Sequence, residues 1–264
     1  MRLLAALGER GIYLARRKQL GPVAAAEPDA AVLAAFATAC KQGRDLLEYE
    51  ARALLRAHGV AVAEERVAHG ADELAGIAAH FGEQALAMKV VSRDILHKSD
   101  AGGVKLDLRG EAELRTAYDA IMSSCRAYAP QADIEGMLLT PMARKGVEII
   151  IGVSRDPIFG PVVMFGLGGI FVEVLEDVAF RSIPLSRHDA RSMVNQIKAR
   201  RILDGVRGHV PVDTEALADL LLKVSGIVSA YPQIAELDLN PVMAYEDGYA
   251  VVDARVIVGE AGRA

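Results

Sequence analysis

The stretch that decides the fold is ALAMKVVSRDILHKSDAGGVKLDL, residues 85–108. It begins as an alternating strand that carries Lys89, and it ends as a second strand over residues 104–108. Between the strands lies a polar loop, residues 92–103, which closes on the pair Gly102–Gly103. A lysine supplies a point charge, and glycines let backbone N–H groups approach oxygen atoms. The stretch therefore suits a polyphosphate, although a solvated lysine beside an ordinary polar turn would give the same pattern.

Around this stretch, the sequence pattern predicts two lobes that mix strands and helices. From residue 60 onward, runs with strand periodicity alternate with runs of helix periodicity, which is typical of an α+β fold. The N-terminal part is alanine-rich and is broken by Gly21–Pro22, so we expect a helical linker there. The predicted boundaries are 1–43 for this N-terminal extension, 44–258 for the main domain, about 60–141 for its small lobe and about 142–258 for its large lobe.

The composition argues against several classes of protein. The formal net charge is −5 at pH 7, whereas nucleic acid as the main partner would require a basic face. No apolar run reaches the roughly 18 residues that a membrane span needs, so we expect no membrane partner. Cys40 and Cys125 lack metal-binding or redox spacing, which favours a reduced, cytoplasmic setting. A local cluster of cations that binds a nucleotide remains compatible with this composition.

The C-terminal stretch ELDLNPVMAYEDGYAVVDARVIV, residues 236–258, predicts a β-hairpin. Asp247–Gly248 between two alternating runs indicates a two-residue turn of type I′. This turn would place Asn240 opposite Arg255 and diagonal to Asp253, roughly 7 Å away between backbones. An amide oxygen and a carboxylate with open positions suit Mg²⁺, which keeps waters and takes substrate phosphates. A hairpin with a polar outer face is the alternative, and a turn longer by one residue would change which residues pair.

Two weaker signals lie between these stretches. FGLGGI, residues 165–170, matches neither the P-loop pattern nor the dinucleotide-binding pattern, so we interpret it as a tight turn close to a ligand. Glu148 alternates with a row of β-branched apolar residues. It is either a surface charge or, beside a nucleotide, a group that holds the ribose or the lysine.

Three long motifs carry a resemblance to a known family. They are KVVSRDILHKSDAGGVKLDL (89–108), GVEIIIGVSRDPIFGPVVMFGLGGIFVEVLED (146–177) and ELDLNPVMAYEDGYAVVDARV (236–256). Together they resemble the ATP-grasp module of the NDP-forming acyl-CoA synthetases, over about residues 45–258. The chain looks like the β subunit of ADP-forming acetyl-CoA synthetases and is more distantly similar to the β subunit of succinyl-CoA synthetase.

The resemblance implies an ATP-grasp fold, in which two α+β lobes hold ATP between them. Lys89 would be the phosphate lysine, residues 140–143 the hinge that meets the adenine, and Glu148 the acidic residue that follows the hinge. The residues implied in ATP binding are Lys89, Lys98, Ser99, Thr140, Met142 and Glu148.

The resemblance also assigns catalytic and metal-binding residues. Asn240 and Asp253 match the family's Mg²⁺ ligands, which agrees with the hairpin geometry. His97 resembles the β-subunit histidine that relays phosphate, and Asp238 occupies the acidic position that orients a histidine. In the succinyl-CoA branch the comparable loop is rich in Gly and Arg, so the HKSD sequence at residues 97–100 favours the acyl-CoA branch.

The implied reaction is acid + CoA + ATP ⇌ acyl-CoA + ADP + phosphate, through a phosphohistidine and an acyl phosphate. In the family, CoA and the acyl group bind to an α-type part that carries a phosphohistidine, and nothing in these 264 residues resembles it. We therefore expect activity only with an α-type partner subunit. The alternatives are a free-standing ATP-grasp carboxylate ligase and a nucleotide-binding subunit without catalysis.

Overall fold

The computed structural model describes residues 29–95, 97–169, 176–205 and 210–259. The helical linker expected before residue 29 lies outside these ranges, and so do residues 171–174, where the sequence pattern predicts a strand. In the described residues, helices and antiparallel strands form two sheets, so the predicted α+β class is confirmed.

The elements in the described residues are named in chain order. The helices are α1 (Ala30–Gln42), α2 (Glu48–Ala57), α3 (Leu74–Phe81), α4 (Gly110–Tyr128), α5 (Arg187–Gln196) and α6 (Thr214–Ala230), with 3₁₀ turns at Ala71–Glu73 and Lys198–Ile202. The strands are β1 (Arg66–Ala68), β2 (Leu86–Ser92), β3 (Val104–Leu108), β4 (Ile134–Pro141), β5 (Val147–Asp156), β6 (Gly160–Leu167), β7 (Val178–Ser182), β8 (Ile234–Tyr245), β9 (Gly248–Val251) and β10 (Ala254–Val258).

The first sheet contains four strands within the described residues, in the order β1–β4–β2–β3. On β2, Met88 and Val90 pack into one core with α3 and α4, whereas Val91 packs with Leu47 on the opposite side. This alternation is the one that the sequence predicts for a strand. Because Lys89 lies between Met88 and Val90, its side chain leaves the helical core and points towards the other lobe.

The second sheet has the order β10–β8–β5–β6–β7 within the described residues, and β9 pairs with the outer half of β8. Helices α5 and α6 cover one face, where Leu237 and Leu239 of β8 are buried in the larger core. Since side chains alternate along a strand, Asp238 and Asn240 face away from these helices. The open face of this sheet therefore carries the polar residues of the hairpin.

Helix α1 packs against α2, and α2 packs against β10 of the second sheet, although the sequence pattern placed α1 in a linker. Phe36 and Ala39 of α1 and Leu54 and Leu55 of α2 belong to the larger hydrophobic core. The domain boundary at residue 43 remains a prediction.

The sequence pattern over residues 60–67 predicts a strand, and this prediction is wrong for most of its length. Only the three residues of β1 pair with the first sheet. The backbone of Ala61 and Val62 instead contacts Val251 of the second sheet. The Val251 amide donates to the Ala61 carbonyl, 3.1 Å away, and Val62 forms a parallel bridge with Val251.

The hairpin register also differs from the predicted one. Tyr245 pairs with Gly248, so the turn residues are Glu246 and Asp247 rather than Asp247 and Gly248. The register therefore shifts by two residues, which keeps the same side chains on the same face. Arg255 lies opposite Asp238 instead of Asn240.

As a result, Asn240 and Asp253 lie directly opposite each other rather than diagonally. The Asn240 amide donates to the Asp253 carbonyl over 3.3 Å. The pairing of β8 with β5 is irregular beside Asn240. Leu239 pairs with Ile151 and Val242 pairs with Ile149, so β8 has one residue more than β5 between these pairs. Such a bulge re-aims neighbouring side chains, and Val242 turns into the core while Asn240 stays exposed.

Candidate functional site

A cleft of about 660 Å³ lies between the two sheets, and we call it the interlobe cleft. The first lobe contributes the loop after β2, and the second lobe contributes β8 and the start of β10. The cleft brings together six of the predicted site residues: His97, Lys98, Ser99, Asp238, Asn240 and Asp253. These residues are separated by up to 156 positions in the sequence, so the fold alone makes them neighbours.

Lys89 lies behind the wall of the interlobe cleft and is 6% exposed. Its Nζ donates to Glu48 Oε1 over 2.9 Å, to Asp253 Oδ2 over 3.0 Å and to the Val252 carbonyl over 3.2 Å. Burial lowers the pKa of Lys89, but the Glu48 and Asp253 carboxylates outweigh it and raise the pKa above its ordinary value. Lys89 is therefore a charged ammonium in contact with a predicted metal ligand.

Glu48 is a central residue of this site that the sequence reasoning missed. Glu48 is 7% exposed. Its carboxylate accepts a hydrogen bond from Lys89 through one oxygen and from Lys98 through the other. Burial raises the pKa of Glu48, but Lys89 and Lys98 outweigh it and lower the pKa below its ordinary value. One carboxylate thus holds two lysines of the predicted ATP site.

A signal for Glu48 was present in the sequence. In helix α2, Glu48 is three residues before Ala51 and seven before Leu55, so it shares their buried face. Arg52 lies on the same face, is fully buried and approaches Glu48 Oε1 at 3.9 Å. Charged residues on the apolar face of a helix indicate a buried ionic network, because a buried charge requires a partner.

Asn240 and Asp253 form the predicted metal pair. The register places them opposite each other, and both line the interlobe cleft. In the described residues, no group of three or more His, Cys, Asp or Glu side chains could hold a metal ion. One carboxylate and one amide oxygen therefore fit only an ion that completes its shell with waters and substrate oxygens, as Mg²⁺ does.

Asp238 and His97 line opposite walls of the same cleft. Burial raises the pKa of Asp238 above its ordinary value, and the negative charge of Asp253 raises it further. The positive charge of Arg255, which lies opposite Asp238 on β10, partly offsets this increase. Two carboxylates close together in one cleft favour binding of a cation, since a cation removes their repulsion.

The loop that carries His97 is a compact turn. The amides of Ala101, Gly102 and Gly103 donate to the carbonyls of His97, Ser99 and Lys98 over 3.2, 3.0 and 2.7 Å. The N–H groups of the glycine pair are therefore engaged within the loop, which corrects the expectation that they approach a phosphate. Glycine is needed at position 103 for packing, because a Cβ there would lie 2.6 Å from Val90 Cγ1. His97 itself remains exposed.

A second cavity, which we call the side cavity, has a volume of about 840 Å³. Glu148 lines it together with Lys145 and the described part of the glycine-rich turn. The amide of Gly168 donates to the Glu148 carbonyl over 2.8 Å, so this turn lies directly against Glu148. The apolar wall consists of Val147, Leu167, Ile202, Val210, Val212 and Ala244.

Thr140 and Met142 line neither of these cavities. Thr140 is buried at the end of β4, and the Met142 amide donates to the Ala85 carbonyl over 2.8 Å. They lie in the chain just before Arg144 and Lys145, which line the side cavity. The predicted ATP residues thus divide between the interlobe cleft, the side cavity and the segment that joins the lobes.

Among the described residues, no helix is both long enough and apolar enough to cross a membrane.

Comparison with known proteins shows the family of this chain. The ATP-grasp domain family matches residues 38–258, which include both sheets and the interlobe cleft. The subunit beta of ADP-forming acetate–CoA ligase I from Pyrococcus furiosus is 46% identical over 217 residues, which cover 82% of this chain and 93% of that protein.

Solved structures show the same likeness. Acetyl-coenzyme A synthetase 1 of Ca. Korarchaeum cryptofilum, in complex with coenzyme A, Ca-AMPCP and HgCl⁺, is 46% identical with a TM-score of 0.81, over 85% of this chain and 98% of that chain. The same synthetase with coenzyme A and Mg-AMPPCP, its phosphohistidine segment pointing towards the nucleotide binding site, is 43% identical with a TM-score of 0.74, over 86% of this chain and all of that chain. The chain therefore belongs to the ATP-grasp family, in the branch formed by the β subunits of ADP-forming acyl-CoA synthetases.

Proposed function

We propose that this chain is the ATP-binding β subunit of an ADP-forming acyl-CoA synthetase, which catalyses acid + CoA + ATP ⇌ acyl-CoA + ADP + phosphate. The observation that carries the proposal is the interlobe cleft, where His97, Asn240 and Asp253 meet beside the buried ammonium of Lys89. Phosphoryl transfer depends mainly on positioning and on charge stabilisation, and this cleft contains a nucleophile and cations for both tasks.

The phosphates of ATP bind in the interlobe cleft in this proposal. Lys98 and Ser99 supply hydrogen bonds to the phosphate oxygens, and Lys89, whose three N–H groups bind Glu48, Asp253 and the Val252 carbonyl, supplies positive charge. Asn240 and Asp253 hold Mg²⁺, which neutralises phosphate charge when it is bound. The Mg-AMPPCP bound to the related synthetase supports the choice of this ion.

Adenosine binds in the side cavity. The apolar wall of this cavity suits a flat base, and the carboxylate of Glu148 suits the hydroxyl groups of a ribose. Glu148 pairs with Met243, three residues from Asn240 on the same strand β8, so one nucleotide can extend from one cavity to the other. Thr140 and Met142 line neither cavity, but they lie in the hinge segment just before Arg144 and Lys145, at the adenine end of this path.

His97 receives the phosphoryl group. A lone pair on its neutral imidazole attacks the γ-phosphorus, the bond from phosphorus to the β,γ-bridging oxygen breaks, and ADP leaves with that electron pair. Asp238 accepts a hydrogen bond from the other ring N–H and orients the ring. His97 then transfers the phosphate to a histidine of the partner, which forms the acyl phosphate.

The partner is a CoA-binding α-type subunit that carries a phosphohistidine. The Pyrococcus furiosus relative is named as a subunit beta, and the related synthetase has a phosphohistidine segment beside its nucleotide site. The exposed position of His97 in the cleft leaves it accessible to such a segment.

Two measurements test this proposal. Mg·ATP should raise the melting temperature of the protein, because a ligand that binds only the native state adds RT ln(1+[L]/Kd). Lys89→Ala should remove most of that shift, and an equal shift in the variant would remove Lys89 from the phosphate site.

The second measurement follows the phosphate. With γ-labelled ATP and a copurified partner, the wild-type chain should carry acid-labile, base-stable label, whereas His97→Ala should carry none and should form no acyl-CoA. A His97→Ala complex that turns over at the wild-type rate would contradict the relay. Acyl transfer without any partner would instead favour a free-standing carboxylate ligase, and ATP binding without turnover in the complex would favour a subunit without catalysis.

A further inference from the structure

The buried carboxylate of Glu48 joins parts of both lobes. Helix α2, on which Glu48 lies, is fixed to the second lobe by Leu54 and Leu55 in the larger core. The Leu46 amide also donates to the Val256 carbonyl over 3.2 Å. Glu48 is therefore a rigidly held group on the second lobe.

The groups that Glu48 binds belong to the first lobe. Lys89 lies on the central strand β2 and Lys98 lies in the loop that follows it, and each donates to a different oxygen of the Glu48 carboxylate. Two flexible ammonium groups are thus held side by side. Without the carboxylate, their mutual repulsion would separate them, and Lys98 would extend into solvent.

A second ionic layer keeps Glu48 in place. Arg52, which is fully buried, approaches Glu48 and donates to the Val252 carbonyl over 3.0 Å. The same Val252 carbonyl accepts from Lys89, and the next residue, Asp253, binds Lys89 as well. The position of Glu48 is thereby coupled to the backbone that carries the proposed metal ligand.

We infer that Glu48 is a positioning residue for ATP, which sets Lys89 and Lys98 in place to bind the phosphates. This inference rests on the proposed function, because it takes the two lysines as phosphate ligands. Glu48 itself acts only through them, since its negative charge would repel a phosphate. A carboxylate that only joined the lobes would stabilise the fold without any preference for phosphate.

The test compares Mg·ATP with adenosine, which has no phosphate, in competition against a fluorescent nucleotide. Glu48→Gln should weaken Mg·ATP binding about 10- to 100-fold, as loss of an outer-shell partner does at other sites. It should leave adenosine binding nearly unchanged. Glu48→Asp, which keeps the charge but shortens the reach, should recover part of the loss.

Glu50→Gln is the matched control. Glu50 lies on the same helix and binds Arg44 over 2.7 and 2.9 Å, but it contacts neither lysine. This variant should bind Mg·ATP and adenosine as the wild type does. In a Lys89→Ala/Lys98→Ala background, Glu48→Gln should cause no further loss of Mg·ATP binding, because Glu48 acts through these two lysines.

Three results would overturn the inference while the proposed function stands. They are an equal loss of Mg·ATP and adenosine binding in Glu48→Gln, no loss in either, and a gain in Mg·ATP binding from the removed negative charge. If the wild type itself bound Mg·ATP no better than adenosine, the proposed phosphate site would fail, and the role of Glu48 would fail with it.

Discussion

The interlobe cleft and the side cavity differ in how their charges are held. In the interlobe cleft, the lysines are bound to carboxylates, and Lys89 and Glu48 are nearly excluded from water. In the side cavity, Lys145 and Glu148 are exposed beside an apolar wall. The difference supports our proposal that the first region binds phosphates and metal and that the second accepts a base and a ribose.

The two regions also differ in how their charged residues affect the stability of the fold. Buried charges in the interlobe cleft stabilise the fold only while every partner is present, because an unpaired buried charge is costly. The exposed carboxylate of the side cavity has no such role. Substitutions of comparable chemistry should therefore have very different effects in the two regions.

The largest difference should be in stability. Glu48→Ala should lower the free energy of unfolding by about 3–5 kcal/mol, since it leaves Lys89 buried with one carboxylate fewer. Glu148→Ala, at an exposed position, should change it by at most about 0.5 kcal/mol. Urea unfolding of both variants measures this contrast, and similar losses in the two would contradict it.

The effect of Glu48 should depend on pH. Its pKa is lowered in the folded state, so its stabilisation is present above the unfolded value of about 4.3 and is lost as the pH falls through the folded value. The difference in stability between wild type and Glu48→Gln should therefore shrink in acid. A difference that stayed constant from pH 7 down to acid would mean that the charge of Glu48 is not responsible.

The next effect concerns the metal. Asp253→Asn and Asn240→Ala should each reduce nucleotide affinity at least about tenfold in Mg²⁺, since loss of an outer-shell partner of a metal already costs this much, and should reduce it much less in EDTA. Titration calorimetry in both buffers measures the selectivity. Glu236→Gln, on the same face of β8, is the control and should show no dependence on Mg²⁺. Equal losses with and without Mg²⁺ would remove the pair from the metal site.

A smaller effect is expected in the side cavity. Glu148→Gln should weaken the binding of Mg·ATP and of adenosine by a similar factor of about five, which corresponds to the loss of one hydrogen bond. Competition binding with both ligands measures this. A loss confined to Mg·ATP would place Glu148 beside the phosphates and would remove the proposed division between the two regions.

The smallest effect is a gain. The pKa of Asp238 is raised by burial and by Asp253, so its ionised form destabilises the metal-free fold. Because water screens this charge, Asp238→Asn should raise the free energy of unfolding at pH 7 by only about 0.5 kcal/mol, or the melting temperature by roughly 1–2 °C. The gain should disappear below the unfolded pKa of about 3.9. A lower melting temperature at pH 7 would show that the carboxylate is needed for folding.

The elements that the sequence predicted correctly lie in contiguous motifs, and the roles of the site residues in these motifs stay predictions. The strand with Lys89 and the hairpin with Asn240 and Asp253 follow from alternation and turn residues, and the structure has both. The predicted register of the hairpin was wrong, because the composition of the turn could not show whether Glu246–Asp247 or Asp247–Gly248 forms the two-residue turn. The error preserved the proximity of the pair, since a shift of two residues keeps the same face.

The residues that the sequence could not supply are those that act across the lobes. Glu48 lies 41 positions from Lys89, and their contact depends on how α2 docks on the second sheet. Periodicity describes one element at a time, so it showed a charged residue on an apolar face without showing its partner. For the same reason the sequence placed α1 in a linker, whereas its Phe36 is buried in the core.

A crystal structure with Mg²⁺ and a non-hydrolysable ATP analogue would reveal whether one nucleotide spans both cavities. We expect the metal about 2.1 Å from oxygens of Asn240 and Asp253, with the phosphates at Lys89 and Lys98 and the base in the side cavity. Phosphates bound beside Glu148, or a metal away from Asn240 and Asp253, would contradict it.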